Sequence, residues 1–118
     1  METKVVSLAA APDPVVPTGS ASEYVERAIV VQVAYADTNN TITITVEQSL
    51  DGVSWDKVRD ESFEPYELEI AAGTGVRVFA FEKIHCSHVR IVIARGSATA
   101  GTLTMTYQTM AVDSMLRR

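Results

Sequence analysis

The sequence predicts an all-β fold, an antiparallel β-sandwich or jelly roll of about six to eight strands. Short segments in which apolar and polar residues alternate recur about every 8–14 residues along most of the chain. Clusters of glycine, asparagine, aspartate and serine separate these segments, as turns do in antiparallel sheets. No stretch repeats apolar residues at the helical period over the length of a helix. We expect an extended N-terminal arm before the strands.

The composition fits a single domain that needs no disulfide bond and no structural metal ion to be stable. The chain has 118 residues, of which 47% are apolar, and this is enough to bury a core. Its one cysteine excludes an intrachain disulfide and a cysteine-rich zinc module. The net charge of −5 repels phosphates, so we expect no nucleic-acid partner. No apolar run approaches the roughly 20 residues that span a bilayer, so we expect no membrane partner.

The first residues resemble a signal peptide only superficially. Ala9–Ala11 could serve as a cleavage site, but the apolar stretch before them is short. Glu2 also opposes the positively charged start of a secretory leader. We therefore expect the protein to be made in a cytoplasm and to keep its first residues.

Residues 1–22 are predicted to form the extended arm. Pro12, Pro14 and Pro17 prevent a helix and remove donors from any β-ladder. The segment is too apolar for a wholly solvated tail, although a disordered N-terminus is the alternative. We expect its apolar side chains to lie on a neighbouring subunit, as those of a strap do. The predicted contact residues are Val5, Val6, Leu8, Val15 and Val16.

The β-domain is predicted over residues 23–110 and begins with two strands of different kinds. Ala28–Ala36 is apolar on both faces, which is typical of a central strand between two layers. In Thr41–Gln48, isoleucine and valine alternate with threonine and glutamate, which is the period-two pattern of a strand with one buried face. A polar turn over Asp37–Asn40 separates the two strands.

The segment after these strands carries an S-x-D-G-x-x-W signature made by Ser49, Asp51, Gly52 and Trp55. The Asp-Gly pair favours a tight turn, so the signature predicts a β-hairpin whose second strand is Ser54–Val58. Trp55 is interpreted either as a core anchor beneath the turn or as an exposed platform on which a sugar stacks. The low aromatic content of 7% favours the core anchor.

The rest of the domain is predicted to consist of further strands separated by turns. Pro65 makes Phe63–Ile70 an irregular or edge segment, because proline cannot donate to a ladder. Strands with apolar residues at alternate positions are predicted over Val76–Phe81, His88–Ala94 and Gly101–Thr109. Residues 111–118 are predicted to form a C-terminal tail.

The most reactive group of side chains is His85-Cys86-Ser87-His88, whose imidazoles and thiol could ligate zinc or copper. On a strand, His85 and Cys86 point to opposite faces, and no fourth ligand is evident. We therefore predict a structural cysteine between surface histidines, with no metal and no other cofactor. No nucleophile, base and orienting group converge in the sequence, so we expect no catalytic residue and no enzymatic activity.

Three segments resemble small all-β structural proteins of tailed bacteriophages. They are the hairpin VEQSLDGVSWDKV (Val46–Val58), the arginine-bearing strand HVRIVIARG (His88–Gly96) and the final hairpin SATAGTLTMTYQT (Ser97–Thr109). Sugar-binding and coagulation-factor-like sandwiches use a hairpin similar to the first of these.

The resemblance implies a non-enzymatic protein of the virion, with capsid decoration or cement as the expected role. The implied partner is the lattice of the major capsid protein, or another virion protein, and a homo-oligomer is expected. A neck, tail or baseplate accessory subunit is the alternative within the virion, and a carbohydrate-binding β-sandwich module is the alternative outside it. Arg90 would either contact a partner or pair with a carboxylate across the sheet; the sequence does not choose between the two.

Overall fold

The computed structural model describes residues 1–17, 27–60 and 62–111. In this part of the chain the structure is all-β, with two antiparallel sheets and no helix. The predicted all-β class is thereby confirmed. Among the described residues, no helix is long and apolar enough to cross a membrane. Residues 18–22 of the predicted arm and 112–118 of the predicted tail lie outside the described residues.

Eight strands occur in the described part of the chain. They are β1 (Glu2–Ser7), β2 (Arg27–Thr38), β3 (Ile42–Ser49), β4 (Asp56–Lys57), β5 (Glu67–Ile70), β6 (Gly73–Ile84), β7 (His88–Ala94) and β8 (Thr102–Ala111). Sheet A has the strand order β1-β8-β2-β6. Sheet B is built on β3, which pairs with β7 along one edge and with β4 and β5 along the other.

The central strands of the two sheets differ in how well they follow their sequence patterns. β2 is central in sheet A, between β6 and β8, but Gln32 on its outer face is exposed, so the prediction of a strand covered by layers on both faces was wrong for that face. β3 places Ile42, Ile44 and Val46 on its inner face, where all three are fully buried. Because successive side chains of a strand point to opposite faces, the same alternation directs Thr43 and Glu47 outwards.

One predicted strand is shorter than the sequence indicated. The segment Ser54–Val58 is reduced to β4, because backbone N–H groups that precede β4 are bonded to the side chain of Asp51.

The segment Phe63–Ile70 is irregular up to Pro65 and ends in the edge strand β5, as predicted. Pro65 has no N–H to donate and forms an isolated bridge with Arg59.

One hydrophobic cluster joins the inner faces of both sheets. Its aromatic part includes Phe79 and Phe81, whose ring centroids are 5.0 Å apart in an edge-to-face arrangement. Burying one large apolar side chain contributes about 1.5–3 kcal/mol to the free energy of unfolding. The fully buried members with the largest side chains are Phe81, Leu8, Ile29, Ile42, Ile44, Ile70, Ile84, Ile91, Leu103, Met105, Val31 and Val33.

The N-terminal residues belong to the β-domain, which corrects the prediction of an arm over residues 1–22. β1 pairs with β8 along its whole length. Val6, Leu8 and Val15 are buried in the shared core, and the N–H and C=O of Val15 both bond to Ile91 at 2.8 Å. Three of the five apolar side chains that we expected on a neighbouring subunit, Val6, Leu8 and Val15, are therefore covered by their own chain. The domain begins at β1 and not at residue 23.

Replacing Leu8 tests whether the N-terminal segment is part of the core. Leu8→Ala should lower the free energy of unfolding by about 2–5 kcal/mol, because it leaves a cavity among packed side chains. Leu50→Ala is the matched control, since Leu50 is exposed, and its effect should stay within about 0.5 kcal/mol. Urea denaturation measures both values. An equally small effect of the two substitutions would show that the segment is not packed on the domain.

Candidate functional site

The loop after β3 is held by hydrogen bonds to one aspartate. The Oδ1 atom of Asp51 accepts from the backbone N–H of Val53 and of Ser54, both at 2.8 Å, and from the hydroxyl of Ser49 at 2.9 Å. The N–H of Gly52 in turn donates to the Ser49 hydroxyl at 2.9 Å. The two backbone bonds and the Ser49 hydroxyl lower the pKa of Asp51 to about 2, because they stabilise the carboxylate. The predicted structural hairpin residues thus fix the loop.

The glycine of the signature is needed for two reasons. Gly52 has a φ of +75°, a backbone conformation that side chains with a Cβ rarely adopt. A Cβ atom at this position would also lie 3.1 Å from Cδ2 of His88. The loop therefore lies directly against the first residue of β7, and this contact leaves no room for a side chain.

Trp55 is half-buried and does not belong to the hydrophobic cluster, so the interpretation as a core anchor was wrong. The guanidinium carbon of Arg90 lies 4.1 Å from the centroid of its ring, which is a cation–π contact. Arg90 also pairs with Glu47 across the sheet, with Nε and Nη2 at 2.8 and 2.7 Å from Oε1. Arg90 is thus the ladder partner of a carboxylate, one of its two expected roles. Its contact with a binding partner stays a prediction.

A second loop, between β4 and β5, is held in the same way. Oδ1 of Asp60 accepts from the backbone N–H of Ser62 at 2.8 Å and of Glu64 at 3.1 Å. The N–H of Phe63 donates to the Asp60 carbonyl at 3.0 Å, and its carbonyl accepts from Arg59 at 3.1 Å. Phe63 itself has a φ of +62°, an uncommon conformation for a residue with a bulky side chain. These bonds keep the residue in that strained conformation.

Both loops present large apolar side chains to solvent. Leu50 and Val53 of the first loop are 77% and 79% exposed, and Phe63 of the second is 80% exposed. We call these three residues the apolar loop tips. Since each loop is ordered by its own aspartate, the tips keep their positions without any contact to the core. The sequence reasoning missed these three residues, which are well placed to contact another protein. The available signal was an apolar residue within three positions of a turn-forming aspartate.

The predicted contact residues do not form one surface. Val6, Leu8 and Val15 are buried within the chain. Val5 and Val16 are exposed, but Val5 lies on β1, whereas Val16 lies next to the bridge between Val15 and β7. Only Val5 and Val16 among the five valine and leucine residues can therefore meet a partner in this fold.

The histidine–cysteine group is engaged in backbone hydrogen bonding. Oε1 of Gln48 accepts from the N–H of His85 at 2.9 Å and of Cys86 at 3.3 Å. The carbonyl of Cys86 accepts from the guanidinium of Arg27. Burial raises the pKa of the Cys86 thiol, which disfavours the thiolate that metal binding or nucleophilic attack requires. Within the described ranges no three His, Cys, Asp or Glu side chains are placed to hold a metal ion.

Comparisons of the chain with protein-family models, with curated proteins and with solved structures found no match. The chain's own surface geometry is thus what bears on its function, together with the sequence resemblance stated above.

The hydrogen bonds to Asp51 predict how the loop responds to acid. A carboxyl with a lowered pKa stabilises the fold above its ordinary pKa of 3.8, and this contribution is lost as the pH falls towards about 2. Carboxyl titration followed by NMR should place the pKa of Asp51 at about 2. Asp51→Asn should lower stability at neutral pH and remove part of the acid dependence of unfolding, whereas Leu50→Ala should retain it. A titration of Asp51 near 3.8 would contradict the network.

The contact between Trp55 and Arg90 predicts energetic coupling between the two side chains. A double-mutant cycle of Trp55→Ala and Arg90→Ala, measured by urea denaturation, should show a coupling free energy of about 0.5–2 kcal/mol. Arg95→Ala replaces Arg90→Ala in the control cycle, which should show coupling below about 0.5 kcal/mol. Trp55→Ala alone should remain folded. If it unfolds the domain, the tryptophan is a core residue after all.

Proposed function

We propose that the protein is a non-enzymatic structural protein of a tailed-bacteriophage virion, which binds and stabilises the lattice of the major capsid protein as a decoration or cement protein. The observation that carries the proposal is the pair of aspartate-ordered loops with their apolar tips, Leu50, Val53 and Phe63. The class of partner is inferred from the sequence resemblance to virion proteins, which involves the hairpin, the arginine-bearing strand and the final hairpin.

Ordered apolar loop tips are suited to binding a protein surface. A few side chains that enter pockets of a partner account for most of the affinity of many interfaces, and aromatic residues such as Phe63 are enriched at interfaces. The hydrogen bonds of Asp51 and Asp60 fix the backbone around the tips before binding, so the loops lose little conformational freedom on contact. A repeated contact of this kind needs no large conformational change, which suits a subunit that is added to an assembled lattice.

We also propose that the two sheets pack as a β-sandwich with the jelly-roll arrangement common among virion modules. Support for the sandwich comes from the single hydrophobic cluster to which both sheets contribute. Support for a structural role comes from the course of the N-terminal segment. It supplies β1 to sheet A and, through Val15, a bridge to β7 in sheet B, so that one segment ties the two sheets together.

The alternatives differ in their support. A neck, tail or baseplate accessory subunit would use the same loop tips, and the experiment below separates it from a capsid protein. A carbohydrate-binding module would need an open aromatic ring for a sugar. One face of the Trp55 ring is already covered by the guanidinium of Arg90, which disfavours that function.

Binding to virus particles tests the proposal directly. Purified full-length protein is mixed with particles of the encoding phage from which its gene has been deleted, and the particles are sedimented. Wild-type protein should sediment with them in a saturable manner. The double variant Val53→Ser, Phe63→Ser should bind at least about tenfold more weakly, because it removes two apolar anchors. Met110→Ser is the control, since Met110 is apolar and exposed but lies on β8, outside both loops.

Two results would contradict the proposal. One is the absence of the protein from purified wild-type particles in mass spectrometry. The other is binding that the double variant leaves unchanged. Electron microscopy with labelled protein then gives its position: label on the shell supports the decoration role, whereas label confined to the neck or tail supports the accessory-subunit alternative.

A further inference from the structure

The outer face of sheet A consists mainly of uncharged side chains; Glu82, which belongs to the same alternate series of β6 as Val76 and Val78, lies at one end of it. Strand pairing places the uncharged side chains in two rows that cross all four strands. The first row is Val5, Thr104, Ala34 and Val76, and the second is Thr3, Thr106, Gln32 and Val78. Val30 and Gln108 extend the face by one more pair. We call these ten residues the uncharged face. In a chain with 21% charged residues, such a face is a marked departure from the average surface.

The outer face of sheet B is of the opposite kind. Arg90 pairs there with Glu47 at 2.7 Å, and Lys57 pairs with Glu67 at 2.6 Å. The Lys57–Glu67 pair is exposed and the Arg90–Glu47 pair is half-buried, and ion pairs of this kind are typical of a surface that remains in contact with water. The two sheets therefore have different outer faces. On sheet A, another protein can contact the ten residues of the uncharged face without desolvating a charge from that set.

The edges of sheet A make pairing through an edge strand unfavourable. Lys4 on β1 and Arg77 and Glu82 on β6 are exposed at the two edges. Charged residues on edge strands oppose the addition of a further strand. An association through sheet A would therefore use its face and not its edges.

The size of the uncharged face suits a weak, reversible interface. Each outward residue of a sheet takes about 4.8 Å by 6.8 Å, so the ten residues cover about 330 Å². Two such faces in contact bury about 650 Å² of flat area, which is in the range of weak, transient interfaces between proteins. The face is also not flat, because a hollow of about 160 Å³ lies between Val30, Gln32, Val78 and Gln108. Exposed valine side chains beside the hollow could enter the same hollow of an identical face.

We propose that the uncharged face packs against the same face of a second copy of this chain, in a two-fold symmetric dimer. The chemistry of the face is self-complementary, because threonine and glutamine each carry a donor and an acceptor and so can bond to their own kind. Its valine and alanine side chains likewise need only apolar neighbours. Each copy has a net charge of −5, so contact through any charged face would add repulsion that this face avoids. This inference rests on a surface other than the loop tips of the proposed function.

Sedimentation equilibrium of the full-length protein tests the dimer. Over an about hundredfold range of micromolar concentrations, the wild-type protein should shift from monomer to dimer mass. Val78→Glu should weaken association at least about tenfold, because it places a charge in the contact. Ala94→Glu is the control, because Ala94 is exposed but lies on β7 in sheet B, outside the uncharged face. Circular dichroism and thermal unfolding should show that both variants keep the fold.

Mixing two variants tests the two-fold arrangement. Val78→Glu and Val78→Lys should each be mainly monomeric, and an equimolar mixture should recover association through opposite charges on facing surfaces. A wild-type protein that stays monomeric over the whole range, a dimer unaffected by Val78→Glu, or a mixture without recovery would overturn the proposal. A dimer that does not bind virus particles would instead count against the proposed function alone, and a monomer that binds them would count against the dimer alone.

Discussion

The pairing of β3 on both of its edges is the constraint on which the rest of the structure depends. β3 is bonded to β7 on one side and to β4 and β5 on the other, so it fixes the register of the whole of sheet B. A shift of one residue would turn Ile42, Ile44 and Val46 out of the core and bring threonine and glutamate in. The same register sets Glu47 opposite Arg90 and brings Arg90 over Trp55. The position of the ordered loop at the end of β3 follows from it as well.

The N-terminal segment shows how an apparent arm becomes part of a core. β1 completes sheet A beside β8, and the chain then crosses to β7, where Val15 forms two backbone hydrogen bonds with Ile91. Leu8 and Val15 are buried on the way. Proline excluded a helix here, but it permits an extended chain with isolated bridges. A segment of this kind joins both sheets, so its buried residues Val6, Leu8 and Val15 stabilise the domain itself and cannot also be offered to a neighbour.

Charge distinguishes the surfaces that face water from those that are suited to protein contact. Sheet B carries ion pairs on its outer face, whereas the outer face of sheet A carries threonine, glutamine, valine and alanine. The apolar tips at Val53 and Phe63 are held by aspartates whose carboxylates are occupied by backbone N–H groups. The two proposed surfaces are thus separate, which would let one subunit bind a second copy and a lattice at the same time.

The sequence alone determined the all-β class, the register-setting alternation of β3 and the residues of the ordered hairpin, because period-two patterns and Asp-Gly turns are local properties. It could not determine the environment of Trp55, whose ring is covered by an arginine 35 positions along the chain. It also assigned Val6 and Leu8 to a partner, since sequence shows that an apolar side chain needs a surface but not which surface. The pairing of β1 with β8, and of Val15 with Ile91, shows that the surface belongs to the same chain. The uncharged face became visible only when four strands from distant parts of the chain were placed side by side, because each contributes only two or three of its residues.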